Sequence, residues 1–208
     1  LCWFALRDRS VKLRTRRKRL LRLTIAMIVM GVLVPLAWTG INYFQRRVQM
    51  PELATWRSTS GYHFTHGYNG KIISAVVPGQ WSKADEAALF VTPGEDGRYA
   101  GVSLDEPWPN WDDGIAFELE LINPNDRDLE LTVRIEDQLH NNEYEDRYNK
   151  AFVVPAGQRI TQSFSIAEMR DTPATRRMEM DRIHRIVLFQ DLQRGKLSYY
   201  ICRIRLKR

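Results

Sequence analysis

The chain has 208 residues, of which 44% are hydrophobic and 27% charged, so it can build a packed core and wholesale disorder is excluded. Its net charge of +6 is unevenly distributed. Residues 1–50 contain 11 Lys and Arg and one acidic residue, whereas residues 51–208 contain 20 basic and 24 acidic residues. The C-terminal part therefore lacks the basic surface that binds nucleic acid, and we expect no nucleic-acid partner.

Residues 23–44 contain no charged side chain and predict a transmembrane helix. At 1.5 Å per residue this stretch is about 33 Å long, which matches the hydrocarbon core of a bilayer. Trp38, Tyr43 and Phe44 lie toward one end, where an aromatic belt is expected. The stretch is longer than the apolar region of a signal peptide, and no small-residue cleavage site follows it. We therefore expect one retained span, with the lipid bilayer as a partner.

Charge around residues 23–44 predicts the orientation of the span. Nine basic residues precede it, and two, Arg46 and Arg47, follow it closely. The positive-inside rule places residues 1–22 in the cytoplasm and the rest of the chain on the periplasmic or extracellular side of a bacterial inner membrane. Residues 1–6 are either the end of a preceding membrane helix or an isolated apolar tip. Cys2 and Cys202 then lie on opposite sides of the bilayer, so no disulfide is expected.

Beyond residues 45–56, which we interpret as a linker, the hydrophobic pattern has a period of two. In residues 115–121 and 129–135, apolar side chains alternate with polar ones, which predicts two strands with one buried face each. A turn sequence at residues 123–126 predicts a hairpin or two closely neighbouring strands. Glu118, Glu120, Glu130 and Glu136 are expected on the solvated face.

Further strands are predicted at residues 87–91, 99–104, 148–154, 159–165, 184–190 and 197–206, with a short helix at residues 166–169. Many short strands separated by turn residues are typical of a sandwich or jelly roll rather than a βαβ fold. The sequence thus predicts an all-β domain, a jelly-roll β-sandwich, over residues 57–208.

Two groups of segments resemble known proteins. Residues 99–105, Trp108 to Trp111 and residues 117–123 look like the start of a carbohydrate-binding-module-like jelly roll. Residues 134–148, 155–157 and 180–183 resemble the C-terminal extracytoplasmic domain of bacterial VanZ-like membrane proteins. The resemblance implies a galactose-binding-like sandwich and a cell-envelope glycan as ligand. Related jelly rolls hold calcium with an Asp in the last strand; here Cys202 stands in that place, and a thiol is a poor ligand for a hard cation. We therefore predict neither a metal nor another cofactor.

Saccharide sites combine aromatic faces with amides, carboxylates and arginines that bind hydroxyl groups. Two segments have this composition, and the candidate ligand-binding residues are Trp108, Trp111, Asp137, His140, Asn141, Tyr144, Asp146 and Arg147. Two alternatives stay open: residues 137–148 brace their own loop, and the two tryptophans cap the core.

The sequence contains no nucleophile elbow, phosphate-binding loop or triad spacing, so we predict no enzyme. The favoured function is a non-catalytic binding domain for an envelope glycan or another polyhydroxylated ligand. The alternative is a structural or protein-interaction module that binds an envelope protein.

Overall fold

The computed structural model describes residues 2–82 and 84–208, and the side chains of residues 17–82 and 84–208. The chain divides near residue 43 into two compact units. The first contains most of helix α1 (Cys2–Val48), which has 47 residues and is therefore longer than the predicted span. Arg, Lys and Leu favour helix, and no Gly or Pro occurs before Gly31, so the helix includes the basic segment.

Helix α1 contains a stretch, Arg17–Val48, that is long and apolar enough to cross a membrane. Its apolar side chains, such as Leu23, Met27 and Leu33, are exposed, and Pro35 lies within it. The two interpretations of residues 1–6 concern side chains outside the described residues.

The described part of the second unit contains two further α-helices, α2 (Thr59–His63) and α3 (Ile166–Asp171). Its strands are β1 (Glu52–Ala54), β2 (Thr65–Tyr68), β3 (Gly70–Val76), β4 (Ala87–Pro93), β5 (Tyr99–Asp105), β6 (Ala116–Ile122), β7 (Leu129–Asp137), β8 (Tyr148–Val154), β9 (Arg159–Ser165), β10 (Ile183–Asp191) and β11 (Tyr199–Lys207). The predicted linker, residues 45–56, contains the end of α1 and strand β1, which pairs with β11.

The strands form two antiparallel sheets that pack as a sandwich. One sheet has the order β3-β4-β11-β6-β9 with β1 added beside β11, and the other has the order β2-β5-β10-β7-β8. Between them lies a core whose largest fully buried side chains include Trp111, Tyr148, Tyr199, Phe117, Leu119, Leu121 and Leu131. The all-β prediction and the strands from β4 onward are confirmed, whereas β1, β2 and β3 were not predicted.

Of the two alternatives for residues 115–121 and 129–135, the hairpin is wrong, because β6 and β7 belong to different sheets. The turn between them instead crosses from one sheet to the other. The Asn123 side chain fixes this crossing by donating to the carbonyls of Arg127 and Val154, each at 2.9 Å. The solvated-face prediction also fails for Glu118 and Glu136, which are buried against arginines.

Candidate functional site

The outer face of the five-stranded sheet is a continuous surface made by alternate residues of its strands. One row across the sheet follows the backbone register, in the order Tyr68, Gly101, Phe189, Thr132 and Ala151. The next row contains His66, Ser103, Val187, Arg134 and Asn149. Small residues in these rows leave space above the sheet.

Gly101 is the residue of the first row that tolerates no side chain. A Cβ atom at this position would lie 2.0 Å from the carbonyl oxygen of Leu188 and 2.7 Å from the Cα atom of Phe189. The backbones of β5 and β10 therefore approach closely here, and the outer surface of the sheet has a depression at Gly101.

A cleft of about 470 Å³ lies on this face. Four of its lining residues are aromatic: Tyr68, Tyr99, Tyr144 and Phe189. Tyr99 and Phe189 meet edge to face, with their ring centroids 5.3 Å apart at 78°. Tyr68 on an edge strand and Tyr144 in the β7–β8 loop are 49% and 65% exposed. The cleft thus combines a fixed aromatic pair with two rings that are accessible to a ligand.

Three arginines in the cleft surround the buried carboxylate of Glu136. Its Oε1 atom lies 2.8 Å from Nε of Arg134 and 3.6 Å from an Nη atom of Arg147, and its Oε2 atom lies 4.0 Å from an Nη atom of Arg185. We call Arg134, Arg147 and Arg185 the arginine cluster. Nε of Arg185 also donates to Asp105 at 2.7 Å. Burial is the largest influence on Asp105 and favours a higher pKa, but hydrogen bonds from Ser103 and Arg185 leave its pKa lowered.

The opposite part of the cleft contains two further arginines, each paired with one acid. Arg98 lies 3.2 Å from Asp191 and covers the ring of Tyr99, with its guanidinium carbon 5.0 Å from the ring centroid. Arg194 pairs with Glu130. Both carboxylates that line the cleft are therefore held in ion pairs.

The loop between β7 and β8 is held by Arg176, which comes from the segment between α3 and β10. Its guanidinium donates to both carboxylate oxygens of Asp137, at 2.5 and 2.7 Å. It also donates to Asp146, at 2.5 and 3.2 Å. Hydrogen bonds from Arg176 are the largest cause of a lowered pKa for Asp146. Asp137 and Asp146 thus stabilise the loop and have almost no exposed surface to offer a ligand.

The other predicted residues of the loop either shape the loop or line the cleft. The backbone N–H of Asn141 donates to Asp146, and the Asn141 side chain accepts from the N–H of Glu143, so Asn141 shapes the turn. The His140 side chain is buried, with Nε2 3.4 Å from Glu136 and Nδ1 3.8 Å from Asp146. Tyr144 and Arg147 are the two predicted residues that line the cleft, and the Arg147 guanidinium lies 5.8 Å from the Tyr144 ring centroid.

The predicted tryptophan platform is not accessible. Trp111 has no exposed surface, because it stacks on Phe117 with ring centroids 5.3 Å apart, and its Nε1 donates to the carbonyl of Trp108 at 2.7 Å. Trp108 is half-buried and packs against the core. Of the two interpretations, the core cap describes the geometry of Trp111, and neither residue lines the cleft.

Several cleft residues were not predicted from the sequence, above all Tyr68, Phe189 and Arg185. They come from strands β2 and β10, which are distant in sequence from the loop at 137–148. Strand β10 is apolar at four successive positions, so its two faces cannot be distinguished by alternation. A signal existed for Arg185 alone, as a charged residue beginning an otherwise apolar run.

Comparison with known proteins gives a fold. No protein-family model and no curated protein matches the sequence. Among solved structures, an exo-β-agarase matches 75% of this chain with a TM-score of 0.61 and 11% identity, and the match spans 24% of that enzyme. The family 11 carbohydrate-binding module of Clostridium thermocellum, in complex with a β-1,3-1,4-mixed-linked tetrasaccharide, matches 69% of this chain and 88% of its own length, with a TM-score of 0.51 and 14% identity.

A xylan-binding domain of carbohydrate-binding module family 22 matches 76% of this chain and 96% of its own length, with a TM-score of 0.50 and 9% identity. The second unit has the jelly-roll fold of these modules. At these identities the likeness concerns the fold, and the function of the jelly roll depends on its own cleft.

Among the described side chains of this jelly roll and of α1, no three His, Cys, Asp or Glu residues are grouped so as to hold a metal ion. The thiol of Cys202 is buried, and burial raises its pKa to about 12. Cys202 is thus a neutral side chain within the sheet.

Proposed function

We propose that this chain is a non-catalytic saccharide-binding domain, held at a bilayer by α1, with its ligand in the cleft of the five-stranded sheet. The observation that carries the proposal is the cleft itself, about 470 Å³ with four aromatic rings and flanking polar groups. Its volume is within the usual range for sites that bind small molecules and short oligomers.

The chemistry of the cleft suits a sugar. The faces of Tyr68 and Tyr144 are accessible for stacking on the C–H surface of a pyranose ring. Asn149, Thr132 and Ser103 supply amide and hydroxyl groups on the floor between them. The solved structures that share the fold of this jelly roll include modules named for saccharide binding, which supports the same ligand class.

The non-catalytic part of the proposal is supported by the carboxylates. Glycoside hydrolysis uses one acid as a proton donor and a second as base or nucleophile. In this cleft Asp191 and Glu130 are each occupied by an arginine, as described above. Each carboxylate is thus engaged by a guanidinium group instead of facing a second free acid across the cleft, so the arrangement favours binding over bond cleavage.

The anchoring part of the proposal rests on α1 and on the charge that precedes its apolar stretch. Nine basic residues before the stretch favour a cytoplasmic N-terminal side and a jelly roll outside a bacterial inner membrane. A VanZ-like parent protein is part of this proposal and is supported by the sequence resemblance given above.

The experiment is a glycan-array screen of the full chain in non-ionic detergent, followed by calorimetric titration of the best ligand. We expect Tyr144→Ala and Tyr68→Ala each to weaken binding at least about tenfold, equivalent to about 1.4 kcal/mol. The matched control is Ile73→Ala, which removes an exposed apolar side chain from the other sheet.

Binding that survives both tyrosine substitutions would place the ligand outside the cleft and contradict the proposal. Failure of every saccharide to bind would favour the alternative, a protein-interaction module. The observation that favours this alternative is β3, an edge strand whose Ile73 and Val76 side chains are exposed. An edge of this kind can accept a strand from a partner protein.

A further inference from the structure

The charge of the cleft is strongly one-sided. Of the described residues that line it, five are arginines and two are acidic. Arg98 and Arg194 are neutralised by those two acids, as described above. The excess positive charge is therefore concentrated in the arginine cluster at the other part of the cleft.

The arginine cluster has more guanidinium groups than it has carboxylates within ion-pair distance. In the described part of the chain, the acid recorded within ion-pair distance of Arg134 and Arg147 is Glu136, which they share with each other and with Arg185. Asp105 accepts from Arg185 alone among the three. At least one guanidinium charge in the cluster is thus left without a matching carboxylate.

The surroundings of Arg134 and Arg147 reflect this excess of positive charge. Burial is the largest cause of a lowered pKa for Arg134; Glu136 opposes this shift, and the charges of Arg147 and Arg185 add to it. Nε of Arg147 is buried and has no hydrogen-bond partner among residues 17–82 and 84–208. A buried donor without a partner, beside an uncompensated positive charge, is a place where an anionic acceptor is stabilised.

We propose that the saccharide bound in this cleft is acidic, with a carboxylate or sulfate group seated on Arg134, Arg147 and Arg185. This inference rests on the proposed function and specifies its ligand class. Carboxylate and sulfate oxygens accept paired hydrogen bonds from guanidinium groups, which a sugar hydroxyl cannot do with equal strength. Tyr144 beside Arg147 places a stacking face next to the anion site, as a sugar ring bearing an acidic group requires.

The test compares chemically matched ligands on the full chain in non-ionic detergent. The first pair is an oligogalacturonide and its methyl ester, and the second is a sulfated galactan oligosaccharide and its desulfated form. We expect one acidic ligand to bind at least about tenfold more tightly than its neutral partner, as one charge-assisted hydrogen bond provides. This preference should shrink between low and high salt, because part of it is electrostatic.

Variants assign the preference to the cluster. Arg147→Gln is expected to remove most of the acidic preference, and Arg147→Lys to restore part of it. The control, Arg170→Gln, removes an arginine that pairs with the exposed Asp112 and does not line the cleft, so binding should be unchanged. A thermal unfolding curve of each variant verifies folding, and Arg185→Gln serves as the second cluster variant if Arg147→Gln does not fold.

Equal binding of acidic and neutral partners would overturn the acidic-ligand inference and leave saccharide binding intact. An acidic preference that persists in Arg147→Gln and Arg185→Gln would also overturn it, because the anion would then bind elsewhere. Binding of no saccharide in either pair, together with a negative array, would instead refute the proposed function, and the inference with it.

Discussion

The attachment of the β7–β8 loop to Arg176 gives a sharp prediction about stability. Arg176 makes four hydrogen bonds to the carboxylates of Asp137 and Asp146. The Asp137 side chain is completely buried, and that of Asp146 nearly so. Arg176→Gln removes the cation and leaves two buried carboxylates close to each other without their shared partner.

The expected cost is large because both charges remain buried. Removing one partner of a buried ion pair typically costs about 3–5 kcal/mol. In a domain of about 160 residues this corresponds to a decrease of about 6–20 °C in the unfolding midpoint. Part of the loss is recovered if Asp146→Asn is added, since one of the two unpaired charges is then removed.

The pH dependence of the effect has a defined sign. The folded-state pKa of Asp146 is lowered below its ordinary value of 3.8, chiefly by Arg176. A lowered pKa stabilises the folded state above the unfolded pKa, and this stabilisation is lost as pH falls through the folded pKa. The difference between wild type and Arg176→Gln should therefore be constant near neutral pH and shrink below about pH 4.

The assay is chemical denaturation of the full chain in detergent at several pH values, with tryptophan fluorescence as the signal for unfolding. The control is Arg182→Gln, which breaks a surface pair with Glu179 at 3.4 Å and should cost less than about 1 kcal/mol. Equal destabilisation by Arg176→Gln and Arg182→Gln would refute the reasoning, as would an effect of Arg176→Gln that grows at acid pH.

Two further predictions concern buried residues of the jelly roll. Trp111→Ala empties a fully buried site beside Phe117, so it should lower the free energy of unfolding by about 3–5 kcal/mol in a denaturant titration. Tyr144→Ala truncates an exposed side chain and should change this free energy by less than about 0.5 kcal/mol. Similar values for the two variants would contradict the core assignment of Trp111. In a Cys2→Ser chain, Cys202 should not react with maleimide at pH 8 until denaturant is added, because its thiol is buried and its pKa is raised to about 12. Rapid labelling of the native chain would contradict this prediction by showing that the thiol is accessible.

Strands with one buried face could be predicted from the sequence, and those without one could not. In β6 and β7 apolar residues that pack in the core, such as Leu119 and Val133, alternate in sequence with polar ones, although Glu118 and Glu136 are buried as well. β3 is largely exposed on both faces, and β2 has four residues that include a glycine, so neither has a period-two signal. Sheet membership was also beyond the sequence, because the turn after β6 can make either a hairpin or a crossing.

The candidate site was predictable in part for a related reason. Composition selected the loop at residues 137–148, and Tyr144 and Arg147 of that loop do line the cleft. Composition could not separate them from Asp137 and Asp146, since the partner that buries those acids, Arg176, lies about 30 residues further along the chain. Distinguishing a bracing carboxylate from a ligand-binding one requires the contact itself.

The position of β10 and β11 in the two sheets bears on how the jelly roll is made. β10 lies between β5 and β7, and β11 lies between β4 and β6, so the last two strands of the jelly roll are central strands of the two sheets. Until they emerge from the ribosome, β5, β7, β4 and β6 have no neighbour on those edges. Assembly of the sandwich must therefore wait until β10 and β11 have been synthesised, and a nascent chain halted before β10 would expose unpaired, aggregation-prone edges in both sheets.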